Sequence, residues 1–383
     1  MPPIKVVHLI DGLTMGGAEM MLYKVVSRMD RTKFEGVVIA FMEEGPVRKM
    51  IEEAGVPVLS LGMAQGKPSA KAFFTLVNLL RRERPAVLQT WSKTADLIGL
   101  LAGRRAKVPA ILWNIRSSRK QKGQYSRLTA TAEALCARLS RLPRLIVANS
   151  QMGIEAYSEI GYRPKEWRML PNGFDIGQYA PDELARGWLR AELGVPDDTF
   201  LVGNVGRYHV MKDQPSFVRA AHIFSQKHPD AHYVLVGPGN DVQNEELQAV
   251  LKEGGTGANI HLLGERSDVP RISAGLDLFA LTSVSEGFPN VVGEAMACGV
   301  PCAVTNVGDT AIVVGDTGIV VPPSDPTAMA QAWSQFVEMG EAARRAQGRA
   351  ARARILENYD LETIVNRYES LYAEMAGENG KRR

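Results

Sequence analysis

Short apolar runs alternate with stretches in which apolar positions recur every three or four residues. The runs KVVHLI (5–10), GVVIAF (36–41), VPVLSL (56–61), AVLQT (86–90), AILWNI (110–115) and LIVAN (145–149) read as strands. Helical periodicity fills the intervals at 18–28, 46–54, 69–82, 94–102, 124–141 and 151–159. Strands without polar alternation, separated by amphipathic helices, are the signature of a parallel sheet covered on both faces. A second series follows: FLVGNVG (200–206), AHYVLVG (231–237), NIHLLG (259–264), DLFALT (277–282) and PCAVTN (301–306). The rhythm breaks around PNGFD (171–175). The pattern therefore predicts an α/β protein of two Rossmann-like domains, residues 1–176 and 177–358, with parallel sheets facing across a cleft. The last helical segments, 341–357 and 361–375, have no strand after them and are expected to close the structure.

Composition supports a folded chain, with 45% hydrophobic and 23% charged residues. Cys136, Cys298 and Cys302 match neither a disulfide framework nor a zinc spacing and read as small core residues. The first residues run straight into a strand and show no signal-peptide pattern. No apolar run approaches the roughly 18–20 residues needed to span a bilayer, so a cytoplasmic location is expected. The net charge of +3 conceals an asymmetry: residues 1–175 carry +12 and the remainder −9. Residues 104–144 hold eleven basic side chains and a single acid, Glu133.

Chemistry concentrates at three places. In SVSEGFPNVVGEAMACGVP (283–301) a strand ends near Thr282 and a helix starts near Asn290, placing Glu286 in the loop and Glu294 in the helix. Ligands of doubly wound folds bind outside the C-terminal strand ends. The amides from Gly287 to Val291 would offer a helix N-terminus to a diphosphate. Two acids near a helix start also suit an ordinary solvated terminus, and spacing alone leaves both readings open. In NVGRYHVMKD (204–213), Arg207 and Lys212 follow a strand and precede a helix capped near Asp213. An Arg fork and a Lys point charge suit a diphosphate, although each alone is commonly a surface charge. In DGLTMGGAE (11–19), Gly16 and Gly17 permit close backbone approach to a ligand, a weak signal because any such fold needs a tight turn there.

In combination and in this order, GGAE, PNGFD, GRYHVMKD and EGFPNVVGEAMACGVP resemble the retaining glycosyltransferases of family 4, with the GT-B fold and an E-x7-E motif. The resemblance spans essentially the whole chain. It implies transfer of a sugar from a nucleotide sugar, a UDP-sugar ahead of a GDP- or ADP-sugar, to a glycan or lipid-linked acceptor. It further implies that Arg207 and Lys212 neutralise the donor diphosphate and stabilise the leaving nucleotide. Glu286 would hold the donor sugar, assisted by Phe288, Pro289, Asn290 and Val291, and Glu294 would bind the ribose. Glu265 and Arg266 would meet the base, Gly16 and Gly17 the phosphates, and the C-terminal helix of residues 359–383 would cross back to the N-terminal domain.

The chain also departs from the family pattern. Where many relatives carry a histidine it reads WNIRSS (113–118), so Asn114 or Arg116 is expected in that role. His8, inside the first strand, reads as structural. The stretch VGDTAIVVGDTG (307–318) leaves Gly308 and Asp309 as further donor contacts. Thr94 and Asp96, near a strand end, are acceptor candidates. No D-x-D metal motif, no G-x4-GK[ST] phosphate loop and no complete dinucleotide fingerprint occurs, so neither a metal nor another cofactor is expected. An epimerase or phosphorylase of the same fold, or a binding module without catalysis, are the alternatives. Nucleic acid is not an expected partner.

The basic segment admits two readings. Tyr125, Leu128, Ala132, Leu135, Leu139 and Leu142 form one helical stripe, with Arg127, Arg138 and Arg141 on its flanks and Arg119, Lys120 and Lys122 before it. The stripe is expected to pack on the sheet with solvated arginines outside. Alternatively the cationic residues of 104–144 rest on an anionic membrane, peripheral to the inner face of the plasma membrane.

Overall fold

A computed structural model describes residues 2–63, 69–116, 127–253 and 259–380, excluding the side chains of 127–130 and 378–380. The chain divides into two compact units, Met1–Gly173 with Leu361–Arg383, and Phe174–Asp360.

The first unit holds seven strands: β1 (Ile4–Ile10), β2 (Phe34–Ala40), β3 (Val58–Ser60), β4 (Val87–Thr90), β5 (Ala110–Ile115), β6 (Leu145–Ala148) and β7 (Trp167–Met169). All pair in parallel, in the order β3-β2-β1-β4-β5-β6-β7. Alternate residues feed two cores. One face buries Val6, Ile10, Val38, Val87, Leu112 and Val147 beneath the helices Gly17–Arg28, Pro46–Glu53 and Leu361–Gly380. The last of these presents Leu361, Ile364, Val365, Tyr368, Leu371, Tyr372 and Met375, one stripe at helical spacing. The other face buries Val7, Leu9, Leu88, Ile111, Trp113 and Ile146 beneath Ala70–Glu83, Lys93–Ala106, Arg127–Leu139 and Gln151–Glu159.

The second unit repeats the plan with β8 (Leu201–Val205), β9 (His232–Val236), β10 (Ile260–Gly264), β11 (Leu278–Leu281), β12 (Cys302–Thr305) and β13 (Gly318–Val321), in the order β10-β9-β8-β11-β12-β13. Its faces are filled around Phe279, Leu281 and Val292 on one side and around Phe217, Tyr233 and Trp333 on the other. Strands β7 and β13 are absent from the hydrophobic pattern because both are short edge strands, with part of their residues exposed. Cys136, Cys298 and Cys302 are free and buried, as small core residues.

In each sheet the winding direction reverses beside the first strand, between β1 and β4 and between β8 and β11. In doubly wound sheets the loops diverge beside such a reversal, at the C-terminal strand ends. The loops after β1 and β8 carry Gly16 and Arg207, and the loop after β11 carries Glu286.

Candidate functional site

The second unit assembles its charged residues around that reversal. The loop after β8 reaches the helix Gln214–Ser225 through Asp213, a left-handed N-cap residue (φ 49°) whose carboxylate accepts from the Ser216 amide at 3.2 Å and its hydroxyl at 2.7 Å. Just before this cap, Lys212 Nζ donates to Glu286 Oε1 at 2.6 Å. Ser283 Oγ donates to the same oxygen at 2.7 Å, and Thr305 Oγ1 donates to the Ser283 carbonyl at 2.6 Å. The two loops are also joined through Val284 N to Met211 O (2.9 Å) and Thr282 Oγ1 to Lys212 O (3.2 Å). Glu286 is thus oriented from two elements before any ligand arrives. Ser283 and Thr305 gave no sequence signal, since their role depends on pairing across strands.

Arg207 is exposed, and its guanidinium has no hydrogen-bond or ion-pair partner among the described residues. Its backbone is nevertheless fixed. Its carbonyl accepts from Gln214 Nε2 at 2.9 Å, and the preceding Gly206 carbonyl from Asn240 Nδ2 at 2.6 Å. Gly237 lies so close that a Cβ on it would stand 2.4 Å from Gly206 O and 3.1 Å from Arg207 N. The GPGND turn (237–241) therefore shapes the cationic loop.

The helix Asn290–Ala297 begins immediately beyond Glu286. Its supply of amides is smaller than the sequence suggests: Pro289 has no N–H, and the Asn290 amide donates to Phe288 O at 3.0 Å. Those of Gly287, Phe288 and Val291 have no partner among the described residues. The Phe288 ring is a core group, 8% exposed and stacked on Phe174 at 6.1 Å, so only its backbone is free for a ligand. Glu294 shares its surroundings with Tyr179 and Cys298. Burial, reinforced by the Glu294 charge, raises the Tyr179 hydroxyl above its ordinary value and pushes the Cys298 thiol up to about 12. Glu265 is exposed, whereas Arg266 forks onto Asp268 (2.8 and 2.6 Å) and reaches Glu192 (2.7 Å).

Gly308 and Asp309 lie behind this loop. Gly308 is left-handed (φ 55°), and a Cβ there would sit 2.6 Å from Glu286 O and 2.7 Å from Gly287 O. Asp309 is 4% exposed, and its amide donates to Gly287 O at 3.3 Å. Both buttress the Glu286–Gly287 backbone.

In the first unit Gly16 caps the helix Gly17–Arg28, and Glu19 turns back over it, accepting from Thr14 Oγ1 at 3.3 Å. Asp11, at the end of β1, accepts from Ser92 Oγ after β4 at 2.6 Å, and burial raises its carboxyl above the ordinary range. Asp96 is 2% exposed and bonded to Thr90, and burial pushes its carboxyl up to about 8. Thr94 lies in the first turn of the same helix. Asn114 is 2% exposed, and neither side-chain amide atom has a hydrogen-bond partner among the described residues. His8 is fully buried, accepts from Trp91 Nε1 at 3.2 Å and is held down to about 3 by burial, consistent with a structural residue. Arg116 is spent internally: it donates to Tyr368 (2.9 Å) and Asn172 and lies over Trp91.

One expectation is overturned. On the helix Arg127–Leu139, Ala132 and Leu135 face outward, as does Leu142 beyond it, whereas Glu133, Cys136, Ala137 and Ser140 are buried; Leu139 of the expected stripe is half-buried and packs on the sheet core as expected. On the inward side Cys136 and Ala137 pack into the sheet core, and Glu133 pairs with Lys93 at 2.6 Å beside them. Tyr125, Arg119, Lys120 and Lys122 lie outside the described residues, as do the side chains of Arg127 and Leu128.

Comparison with known proteins bears on these sites. Residues 15–178 match the family described as Glycosyltransferase Family 4, and residues 199–339 match Glycosyl transferases group 1. The Escherichia coli UDP-Gal:alpha-D-GlcNAc-diphosphoundecaprenol alpha-1,3-galactosyltransferase is 25% identical, with 97% of each chain covered. The N-acetyl-alpha-D-glucosaminyl L-malate synthase of Bacillus anthracis is 31% identical over 62% of each chain. Among solved structures, HepE of Anabaena in complex with UDP superposes with a TM-score of 0.84 at 24% identity, covering 97% of this chain and 100% of that one. The two parallel α/β units, the two family matches and these relatives together establish that the chain belongs to glycosyltransferase family 4 and has the GT-B fold.

Proposed function

We propose that this glycosyltransferase moves a sugar, with retention of anomeric configuration and without a metal ion, from a UDP-sugar to a lipid-linked or glycan acceptor in surface polysaccharide or glycolipid assembly. The observation that carries the reading is the Lys212–Glu286 pair at the β8/β11 reversal, with unpaired Arg207 on one side and open amides on the other. A diphosphate in this crevice meets two cations and a helix N-terminus, which together stabilise the charge that develops as the nucleotide leaves. In this reading Lys212 and Arg207 take the part a divalent cation plays in metal-dependent transfer. Glu286, held by Lys212 and Ser283, presents its remaining carboxylate oxygen to the sugar hydroxyls. Glu294 accepts from the ribose beside Tyr179, and the backbone at Glu265 and Arg266 reads the base. The acceptor is met by the first unit near Asp96, Asn114 and Arg116.

The E. coli relative supports the choice of a UDP donor and a lipid diphosphate acceptor through the reaction in its name. The test is a thermal-shift panel of UDP, GDP, ADP and their sugars with EDTA present throughout, followed by transfer to a polyprenyl diphosphate sugar. A rise in Tm with UDP and transfer in EDTA are expected. Loss of either in EDTA, restored by a divalent cation, refutes the metal-free reading.

A further inference from the structure

The second unit gathers another cluster of charge at the opposite strand ends from Glu286. Arg186, Arg190 and Arg344 converge on Asp277, the residue before β11. Arg190 is fully buried and committed to the protein. It donates to the carbonyls of Thr199 (3.0 and 2.6 Å), Arg186 (3.0 Å) and Gly275 (3.0 Å), and to Asp277 Oδ2 at 2.5 Å. Asp277 Oδ1 accepts from Arg186 Nη1 and lies 3.9 Å from Arg344 Nη2. Among the described residues Asp277 is the one carboxylate within ion-pair distance of these three guanidiniums. The surplus of two positive charges is poorly hydrated, since the Arg344 side chain is 11% exposed and that of Asp277 7%. Burial, partly offset by Asp277, holds the Arg344 guanidinium below its ordinary value.

Arg186 and Arg344 line a cavity of about 380 Å3 with apolar walls from Leu276, Val300 and Pro301. That volume suits a small organic ligand. Arg186 Nη2 reaches the Asp197 carbonyl at 3.4 Å, and Arg344 Nη1 the Phe336 carbonyl at 3.1 Å. The Nε atoms of both residues, and Nη2 of Arg344, have no hydrogen-bond acceptor among the described residues. Two guanidinium forks with donors to spare suit a phosphate, whose charge near −2 at neutral pH matches the surplus. A single carboxylate would leave one of the two charges uncompensated. The more exposed lining is of the other sign. Asp182 stands 3.8 Å from Arg271, and Glu183 is exposed, so both can accept from hydroxyl groups. Cations inside and carboxylates outside fit a ligand with a phosphate at one end and hydroxyls at the other.

We propose that this cavity is a binding site for a sugar phosphate, with the phosphate held by Arg186 and Arg344 and the sugar hydroxyls donating to Asp182 and Glu183. The site stands independently of the sugar-transfer reading, since it uses none of the residues placed in the donor site.

The experiment is calorimetric titration of the full chain with glucose 6-phosphate, inorganic phosphate and glucose, at one fixed salt concentration. Glucose 6-phosphate should bind, inorganic phosphate about tenfold or more weakly, and glucose not measurably, because the hydroxyl contacts add to the phosphate contacts without replacing them. Arg186→Gln should weaken glucose 6-phosphate about tenfold or more, through the loss of a charged donor. Asp277 keeps its bond to Arg190 in that variant, and a melting curve close to wild type verifies the fold. Arg345→Glu is a second variant, at a lining residue whose side chain is 61% exposed and bonded to Glu341; the reversed charge should also weaken binding several-fold. Lys212→Ala should leave the affinity for glucose 6-phosphate unchanged. Absence of wild-type binding overturns the proposal, as do wild-type affinities in both Arg variants. A loss confined to Lys212→Ala would place the phosphate in the donor site instead, and equal affinities for glucose 6-phosphate and inorganic phosphate would overturn the assignment of a sugar phosphate.

Discussion

Gly308→Ala tests how the Glu286 loop is held. The added Cβ would stand 2.6 and 2.7 Å from the carbonyl oxygens of Glu286 and Gly287, at a residue whose φ is 55°. Placing a non-glycine residue in the left-handed region costs about 1 kcal/mol. Relieving an overlap with backbone, which cannot swing aside like a side-chain end, costs a further ~1–3 kcal/mol. The simplest relief shifts the Glu286–Gly287 backbone by several tenths of an ångström, moving the carboxylate and the amides together. The control is Gly194→Ala, at φ 69° with nothing within 4 Å of its Cβ, which incurs the conformational cost alone. The assay is calorimetric titration of UDP into both variants, with their melting curves. Both should melt lower than wild type, Gly308→Ala more so, and only Gly308→Ala should bind UDP at least about tenfold more weakly, about 1.4 kcal/mol. Wild-type UDP affinity in Gly308→Ala, with a melting curve matching the control, would show that Gly308 does not support the site.

Lys212→Ala should abolish transfer with the fold intact, and Glu294→Ala should weaken UDP binding; normal turnover in both would refute the assignment. Arg116→Ala should lower the stability of the first unit by about 2–3 kcal/mol, since Tyr368 and Asn172 lose a charged donor, while UDP affinity measured by titration stays unchanged. Arg116→Lys should recover little, because the forked geometry is lost. Asp96 gives a pH signature. Its folded-state value, raised by burial to about 8, lies above the unfolded 3.8, so stability is fully retained below pH 3.8 and falls as pH rises through about 8. Asp96→Asn should remove that slope, on the order of a few kcal/mol, in denaturation followed from pH 4 to 9; parallel curves for the variant and wild type would refute the shift.

The sequence by itself determined the architecture. Continuous apolar runs such as AILWNI can be satisfied only in a sheet covered on both faces, and their alternation with amphipathic helices leaves a parallel winding as the solution. It also located the chemistry at strand ends: Arg207, Lys212 and Glu286 could be picked out because loops there follow directly from the strand pattern. What pairs across strands was beyond it. Ser283 and Thr305 gain their roles from β11 lying beside β12, and Gly308 from pressing on a loop some twenty residues earlier in the chain. The orientation of single helices was likewise decided by tertiary contacts. The Leu135 stripe has the periodicity of a buried face, yet Leu135 faces solvent while Cys136, Ala137 and the Glu133–Lys93 pair occupy the inward side. Periodicity states that a helix has an apolar side; only the neighbours, through the cost of leaving a buried charge unpaired, decide where that side points.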